Sequence, residues 1–180
     1  MVVKVSLSKI NDIWRGTTRI MHTAFLLIGG NLGNRQANLA AACSAIVQHC
    51  GTITTASALY ETAAWGVEAQ PSFLNQALAL QTFSKPHALL QQLLHIEISL
   101  GRIREKKYGP RLIDIDILLY DDQVIQTPEL IVPHPELQNR RFALTCLADI
   151  APDFIHPVFQ KPIAVLLAEC TDPLAVHKFS

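Results

Sequence analysis

Charge is scarce in this chain. Asp, Glu, Lys and Arg make up 17% of its 180 residues, and fifteen basic against fifteen acidic side chains leave a formal net charge of zero. That argues against a chain disordered as a whole and against a highly charged tail, and it removes a globally basic nucleic-acid binder and a membrane-surface protein from consideration. Long apolar runs are missing too: the richest, Ala24 to Ile28, is stopped by Gly29, Gly30 and Asn31, far short of the ~18 residues of a membrane span. Only four cysteines occur, Cys43, Cys50, Cys146 and Cys170, with neither Cys-x-x-Cys nor zinc-finger spacing, so they read as reduced thiols of a cytosolic protein. There is no internal repeat, low-complexity tract or dividing linker. Residues 1–20 carry Lys4, Lys9, Arg15 and Arg19 against Asp12 but lack the apolar segment of a secretory signal. With Met21 just before the first strand, they read as an upstream start or a disordered extension.

What the chain has in quantity is apolar residues, 49%, enough for the core of one domain. Thr23 to Gly29 reads as a buried strand ending in the turn Gly-Gly-Asn-Leu-Gly. A helix is expected from Asn34, with Leu39, Cys43, Ile46, Val47 and Cys50 at helical spacing and Gly51 as its stop. Thr52 to Glu61 and Phe73 to Thr82 read as two strands joined by a long loop. Ser84 with Pro86 predicts an N-cap and first turn, Leu89, Leu90, Leu93, Leu94 and Ile96 the apolar stripe, and Gly101 the close of a second helix. Leu112 to Tyr120 is the next strand, 123–132 holds extended edge segments, and helices follow around Asn139 to Asp149 and Ile163 to Cys170. The core order β-α-β-β-α-β predicts an α+β, ferredoxin-like split βαβ sandwich, mainly antiparallel, with helices on one face.

Leu112-Ile113-Asp114-Ile115-Asp116-Ile117-Leu118 is the most informative stretch. Strand side chains alternate, so Asp114 and Asp116 emerge together. Two carboxylates at one spot repel unless a cation lies between them, and hard oxygen ligands suit Mg²⁺. Upstream, Arg102, Arg104, Lys106, Lys107 and Arg111 stand against one acid, Glu105, giving 101–111 a net +4 and a third of all basic residues. A cationic loop feeding a two-acid strand suits a polyphosphate, since guanidinium forks bind the oxygens that metal ions leave. The residues thus point to a magnesium-dependent enzyme using a nucleoside triphosphate.

Tyr108-Gly109-Pro110-Arg111-Leu112-Ile113-Asp114-Ile115-Asp116-Ile117-Leu118 resembles the signature of the hydroxymethyldihydropterin pyrophosphokinase family. Ile28-Gly29-Gly30-Asn31-Leu32, Phe73-Leu74-Asn75-Gln76-Ala77, Glu97 with Gly101-Arg102-Ile103-Arg104, Val132-Pro133-His134 and Asn139-Arg140-Arg141-Phe142 resemble further family blocks in family order. Together they span roughly 23–170. The resemblance implies transfer of diphosphate from ATP to 6-hydroxymethyl-7,8-dihydropterin, with AMP leaving and no covalent enzyme intermediate, in folate biosynthesis. It implies Asp114 and Asp116 as ligands of two Mg²⁺, Arg102 and Arg111 as catalytic cations, and Glu97, Arg104, Lys107, Tyr108, His134 and Arg140 on ATP. Thr62, Trp65, Phe73, Asn75 and Phe142 would line the pterin pocket, Phe73 and Phe142 by stacking and Asn75 by reading the ring edge. Expected with it are residues 1–21 as an extension outside a single catalytic domain of 22–180, a cytoplasmic location, a monomer or weak homo-oligomer, and no nucleic-acid or membrane partner.

Some residues depart from the family pattern. Gly30 stands where Ser is frequent, Ala63-Ala64 replaces a Pro-containing step, Phe73 replaces a common Tyr, and Glu105 puts an acid in a basic loop. These bear on loop dynamics and affinity. Two other classes are compatible with parts of the sequence: a Mg-dependent nucleotidyltransferase, whose Gly-rich turn and Asp-x-Asp usually lie closer than Asn31 and Asp114 do, and a non-catalytic ferredoxin-like ligand-binding module, which has no need of paired acids beside arginines.

Overall fold

Strand β1, His22–Gly30, is buried almost throughout, and burial on both faces decides the architecture. The structure is a computed structural model and describes residues 19–63, 70–102 and 109–180. Helix α1, Arg35–His49, starts where the Asn34 side chain accepts from the Ala37 N–H at 3.1 Å. Its buried residues are Leu39, Ala42 and Ile46, whereas Val47 of the expected stripe is exposed.

The single strand expected over Thr52 to Glu61 is two, β2 (Thr52–Ala56) and β3 (Tyr60–Thr62), both paired antiparallel with β4 (Phe73–Thr82). The break falls at Ser57. Its N–H donates to the Ala77 carbonyl at 2.9 Å, and its hydroxyl accepts from the Ala77 N–H at 2.9 Å and donates to the Ala58 carbonyl at 2.7 Å. A side chain thus takes a ladder position, and the strand bends there. Helix α2, Pro86–Ser99, has Pro86 in its first turn as expected, but Lys85 is the N-cap and makes no side-chain cap; the Ser84 carbonyl instead accepts from the Tyr120 hydroxyl at 2.8 Å.

Strand β5 is Asp114–Tyr120, two residues shorter than expected. Among the described residues Ile125–Gln126 (β6) and Ile131–Val132 (β7) pair only with each other. A 3-10 turn at Leu137–Asn139 leads into α3, Arg141–Ile150, followed by α4, Ile163–Glu169, and β8, Val176–Lys178. The sheet order is β5-β1-β4-β3-β8, with β2 also on β4, and every pairing is antiparallel. The core β-α-β-β-α-β is therefore the ferredoxin-like arrangement, first and last core strands adjacent.

The expectation of helices on one face needs correction. Leu39, Ala42 and Ile46 of α1 and Leu89, Leu93 and Ile96 of α2 pack on Ala24, Leu26 and Ile28. On the opposite face Leu144 and Leu147 of α3, with Ile163 and Leu166 of α4, pack on Phe25, Leu27, Ala77 and Ala79. The run Ala24 to Ile28 in β1 is thus continuously apolar, because both of its faces are covered.

Candidate active site

The expected site residues meet where the second face of the sheet runs out beyond α3. Register places Asn75, Gly29 and Asp114 side by side across β4, β1 and β5, and Ala77, Leu27 and Asp116 one step along. Gly29, lacking a side chain, leaves the floor open between the amide and the acid. A cleft of about 1150 Å³ stands over this floor. It is lined by Thr62, Phe73, Asn75, Glu97, Arg102, Arg111, Asp114, Asp116, His134, Arg140 and Phe142, which are all the expected site residues within the described segments. Trp65, Arg104, Lys107 and Tyr108 lie outside the described residues.

The end of α2 delivers the first cation. Gly101 adopts φ +88°, its N–H bonds to the Ile98 carbonyl, and the Arg102 N–H bonds to the Glu97 carbonyl, both at 3.0 Å. This helix-ending pattern brings Arg102 beside Glu97, where an apolar contact is usual; here the two side chains form an ion pair. Glu97 is 1% exposed and also accepts from the Ile115 N–H at 2.7 Å. Burial pushes its carboxyl pKa up, against the pull of that N–H. Arg102 also contacts Asp114 Oδ1, and Arg111 Nη1 lies 3.1 Å from Asp114 Oδ2. Asp114 is thus held between two guanidinium groups, while among the described residues no cation closes on Asp116 within ion-pair distance. Burial, and then the Asp114 charge, push the Asp116 pKa up to about 7.

The cleft also has aromatic and amide lining. Phe73 and Phe142 are among its walls, the Asn75 amide donates to the Thr62 hydroxyl at 3.1 Å, and both of these polar residues are buried. Arg111 links the acids to this lining, its guanidinium on Asp114 and 5.5 Å from the Phe73 ring centre. On the remaining wall, His134 Nδ1 accepts from the Glu136 N–H at 3.1 Å, so the ring proton sits on Nε2. Burial and Arg140 lower the His134 pKa to about 4, which keeps the ring neutral. Of the adjacent arginines, Arg141 is engaged away from the cleft, its N–H on Asp172 Oδ2 at 3.0 Å and its Nε on the Asp172 carbonyl at 2.7 Å; Arg140 and Phe142 line the cleft.

The residues present fit Mg²⁺. Among the described residues no cluster of three or more His, Cys, Asp or Glu forms an all-protein cage, but Mg²⁺ is commonly held by one or two carboxylates, with waters and substrate phosphates completing its shell. Two same-face carboxylates that repel, one of them with no ion pair among the described residues, supply that donor set. The Arg111 Nε is buried without a hydrogen-bond partner among the described residues, a donor suited to an anionic ligand. No Ser or Cys lines the cleft among the described residues, so the chemistry available is positioning and charge neutralisation rather than acyl-type nucleophilic attack. Sequence reading assigns Leu90 and Leu94 to a core stripe, yet both line the cleft, as do Pro128, Glu129, Leu130 and Ile131. No local signal marks them, since their role comes from how α2 and the β6–β7 connection face one another.

Fold and cleft together define a class: a ferredoxin-like α+β protein whose sheet end sets paired carboxylates and fixed arginines beside an aromatic, amide-lined recess. The chain belongs to the 7,8-dihydro-6-hydroxymethylpterin-pyrophosphokinase (HPPK) family, whose sequence model matches residues 25–152. It is 41% identical over 151 residues to the 2-amino-4-hydroxy-6-hydroxymethyldihydropteridine pyrophosphokinase of Aquifex aeolicus, covering 84% of this chain and 94% of that protein. With the Bacillus subtilis enzyme of the same name it shares 43% identity over 128 residues, 71% of this chain and 77% of the other. A solved Plasmodium falciparum HPPK-DHPS chain matches 86% of this chain with a TM-score of 0.70 at 19% identity, a likeness of fold. The present chain spans 46% of that longer one.

Proposed function

We propose that this cleft binds Mg-ATP and 6-hydroxymethyl-7,8-dihydropterin side by side and carries the family's reaction in this chain. The protein is an ATP-dependent pyrophosphokinase of folate biosynthesis, transferring diphosphate from ATP to the pterin hydroxymethyl group and leaving AMP. The observation that carries the site reading is the continuity of the cleft: one cavity is lined by the acid and arginine cluster and by Phe73, Asn75 and Phe142, and Arg111 touches both Asp114 and the Phe73 ring.

In this reading Asp114 and Asp116 hold two Mg²⁺, which when bound neutralise triphosphate oxygens. Arg102 and Arg111, whose contacts with Asp114 stand in for that complex, turn to the phosphate oxygens and balance charge on the transferred group and on departing AMP. Glu97 contributes by holding Arg102 on the ATP side. Neutral His134 offers its Nε2–H, and Arg140 its guanidinium, to the nucleotide. Phe73 and Phe142 sandwich the flat pterin while Asn75, oriented by Thr62, reads the ring edge, placing the hydroxymethyl oxygen in line with the β-phosphorus. Trp65 completes the pterin pocket, and Arg104, Lys107 and Tyr108 the nucleotide side, on the strength of the family resemblance. Residues 22–180 form one catalytic domain, with 1–21 outside it. We read the enzyme as cytoplasmic and as a monomer or weak homo-oligomer; no helix among the described residues is long and apolar enough to cross a membrane.

Incubation with ATP, Mg²⁺ and the hydroxymethyl pterin should release AMP in step with pterin diphosphate and should stop in excess chelator. ADP or free diphosphate as the product would overturn the reading.

A further inference from the structure

Asn31 stands in one of the family blocks but is given no role above, yet it joins the segments entering β4 and β5. It follows the last residue of β1 and is 2% exposed. Its N–H donates to the Arg111 carbonyl at 3.0 Å while its Oδ1 accepts from the Arg111 N–H at 2.8 Å, a reciprocal pair. Its Nδ2 donates to the Pro71 carbonyl at 3.1 Å and to Gln70 Oε1 at 3.2 Å. Pro71 lies two residues before Phe73, and Arg111 three before Asp114. Next door, a Cβ on Gly30 would come within 2.2 Å of the Leu112 carbonyl oxygen, so the absence of a side chain there lets 111–112 lie against the end of β1, within Asn31's reach.

We propose that Asn31 is a positioning residue: its side-chain amide fixes the stem of the loop entering β4 against the stem entering β5, and so sets the pterin end of the cleft relative to the phosphate end. This rests on the cleft being the pyrophosphokinase site. The chemistry requires an amide, because one acceptor and two donors on one planar group are needed for three partners. A carboxylate keeps the acceptor for the Arg111 N–H but turns an oxygen toward the Pro71 carbonyl and Gln70 Oε1, in a place where burying charge is costly. In-line transfer between two separately bound substrates is sensitive to such placement, a misfit of ~1 Å costing about 10²-fold in rate.

Steady-state kinetics of Asn31→Ala and Asn31→Asp separate this role from simple stability. The expected result is a kcat lower by about 100-fold in Asn31→Ala and at least about 10-fold in Asn31→Asp, with either KM changed by less than about 5-fold. Leu166→Ala, in the core between α4 and the sheet and away from the cleft, should lower Tm at least as much while kcat per folded molecule stays within about twofold. A folded Asn31→Ala enzyme with kcat within about twofold of wild type overturns the proposal, as does a rate that falls only in proportion to folded protein. Hydrogen exchange on the wild-type protein tests the linkage without a variant: the Arg111 amide should exchange far below the free-peptide rate, and unprotected exchange overturns the proposal even if neither variant folds. Wild-type protein that releases no AMP would sink the reading of the cleft instead, leaving Arg111 protection to decide the linkage.

Discussion

Asp114 and Asp116 share a face of β5 and little else. Asp114 is compensated by Arg102 and Arg111, whereas Asp116 carries burial and its neighbour's charge, which raise its pKa to about 7. Asp116→Ala should lower turnover by about 10³-fold while leaving the fold intact, since it removes a metal ligand from the strand's polar face; near-normal rates would show that the metal lies elsewhere. Phe142→Ala should raise the KM for the pterin by about 10-fold, the loss of one stacking partner with its buried area, and leave the KM for ATP unchanged. Selective weakening of ATP would contradict the pocket assignment. The pair Arg140-Arg141 shows the limit of reading single residues. Side-chain chemistry is identical at both, and only the hydrogen bonds of Arg141 to Asp172 decide which arginine faces the cleft.

Among the elements, the end of α2 links local conformation to chemistry. A glycine after an apolar stripe is a legible stop, and Gly101 does end the helix. The consequence that the next residue is swung back onto Glu97 depends on φ +88° at Gly101, a conformation that L side chains adopt at a cost of about 1–2 kcal/mol. Gly101→Ala should therefore destabilise the protein by about that amount and, by shifting Arg102, lower kcat by about 10-fold. Denaturant unfolding and initial rates measure the two effects, and a normal kcat at reduced stability would remove Arg102 placement from the account. Strand β5 is equally instructive: alternation predicts correctly that Ile115 and Ile117 bury while Asp114 and Asp116 share a face. The splitting of β2 from β3 was not legible, because it depends on Ser57 reaching across to Ala77.

At the scale of the molecule, opposing titrations meet in one cleft. His134 has its pKa lowered to about 4 from an unfolded value near ~6.5, so the unfolded chain binds that proton first. Its contribution to stability is present above pH ~6.5 and is lost as pH falls toward about 4. Buried His156, also lowered, acts in the same direction. Asp116 works the other way: with its pKa raised to about 7, the folded protein binds the proton more tightly, and stability is lost as pH rises from ~4 to about 7. In metal-free wild-type protein the two slopes oppose each other. Asp116→Asn should be more stable than wild type at pH ~8 and should fall in Tm more steeply on acidification from pH ~6.5 to ~4.5. Parallel Tm profiles for the two proteins, measured in chelator, would show that Asp116 does not titrate in this range.

By itself the sequence determined the periodicities, hence most elements and their order, and the neutral total charge that conceals the +4 segment before Asp114 and Asp116. It also carried the family motifs. These properties are local: alternation, helical spacing and charge density need only a few neighbouring residues. The second helical layer over the sheet, the strand β8, the choice of Arg140 over Arg141 and the clamp on Asp114 were decided by tertiary structure. So was Asn31's position between two loop stems, 40 residues from Pro71 and 80 from Arg111 in the chain. Each depends on a contact between segments distant in sequence, and such contacts exist only once both faces of the sheet are covered and the strands have settled into register.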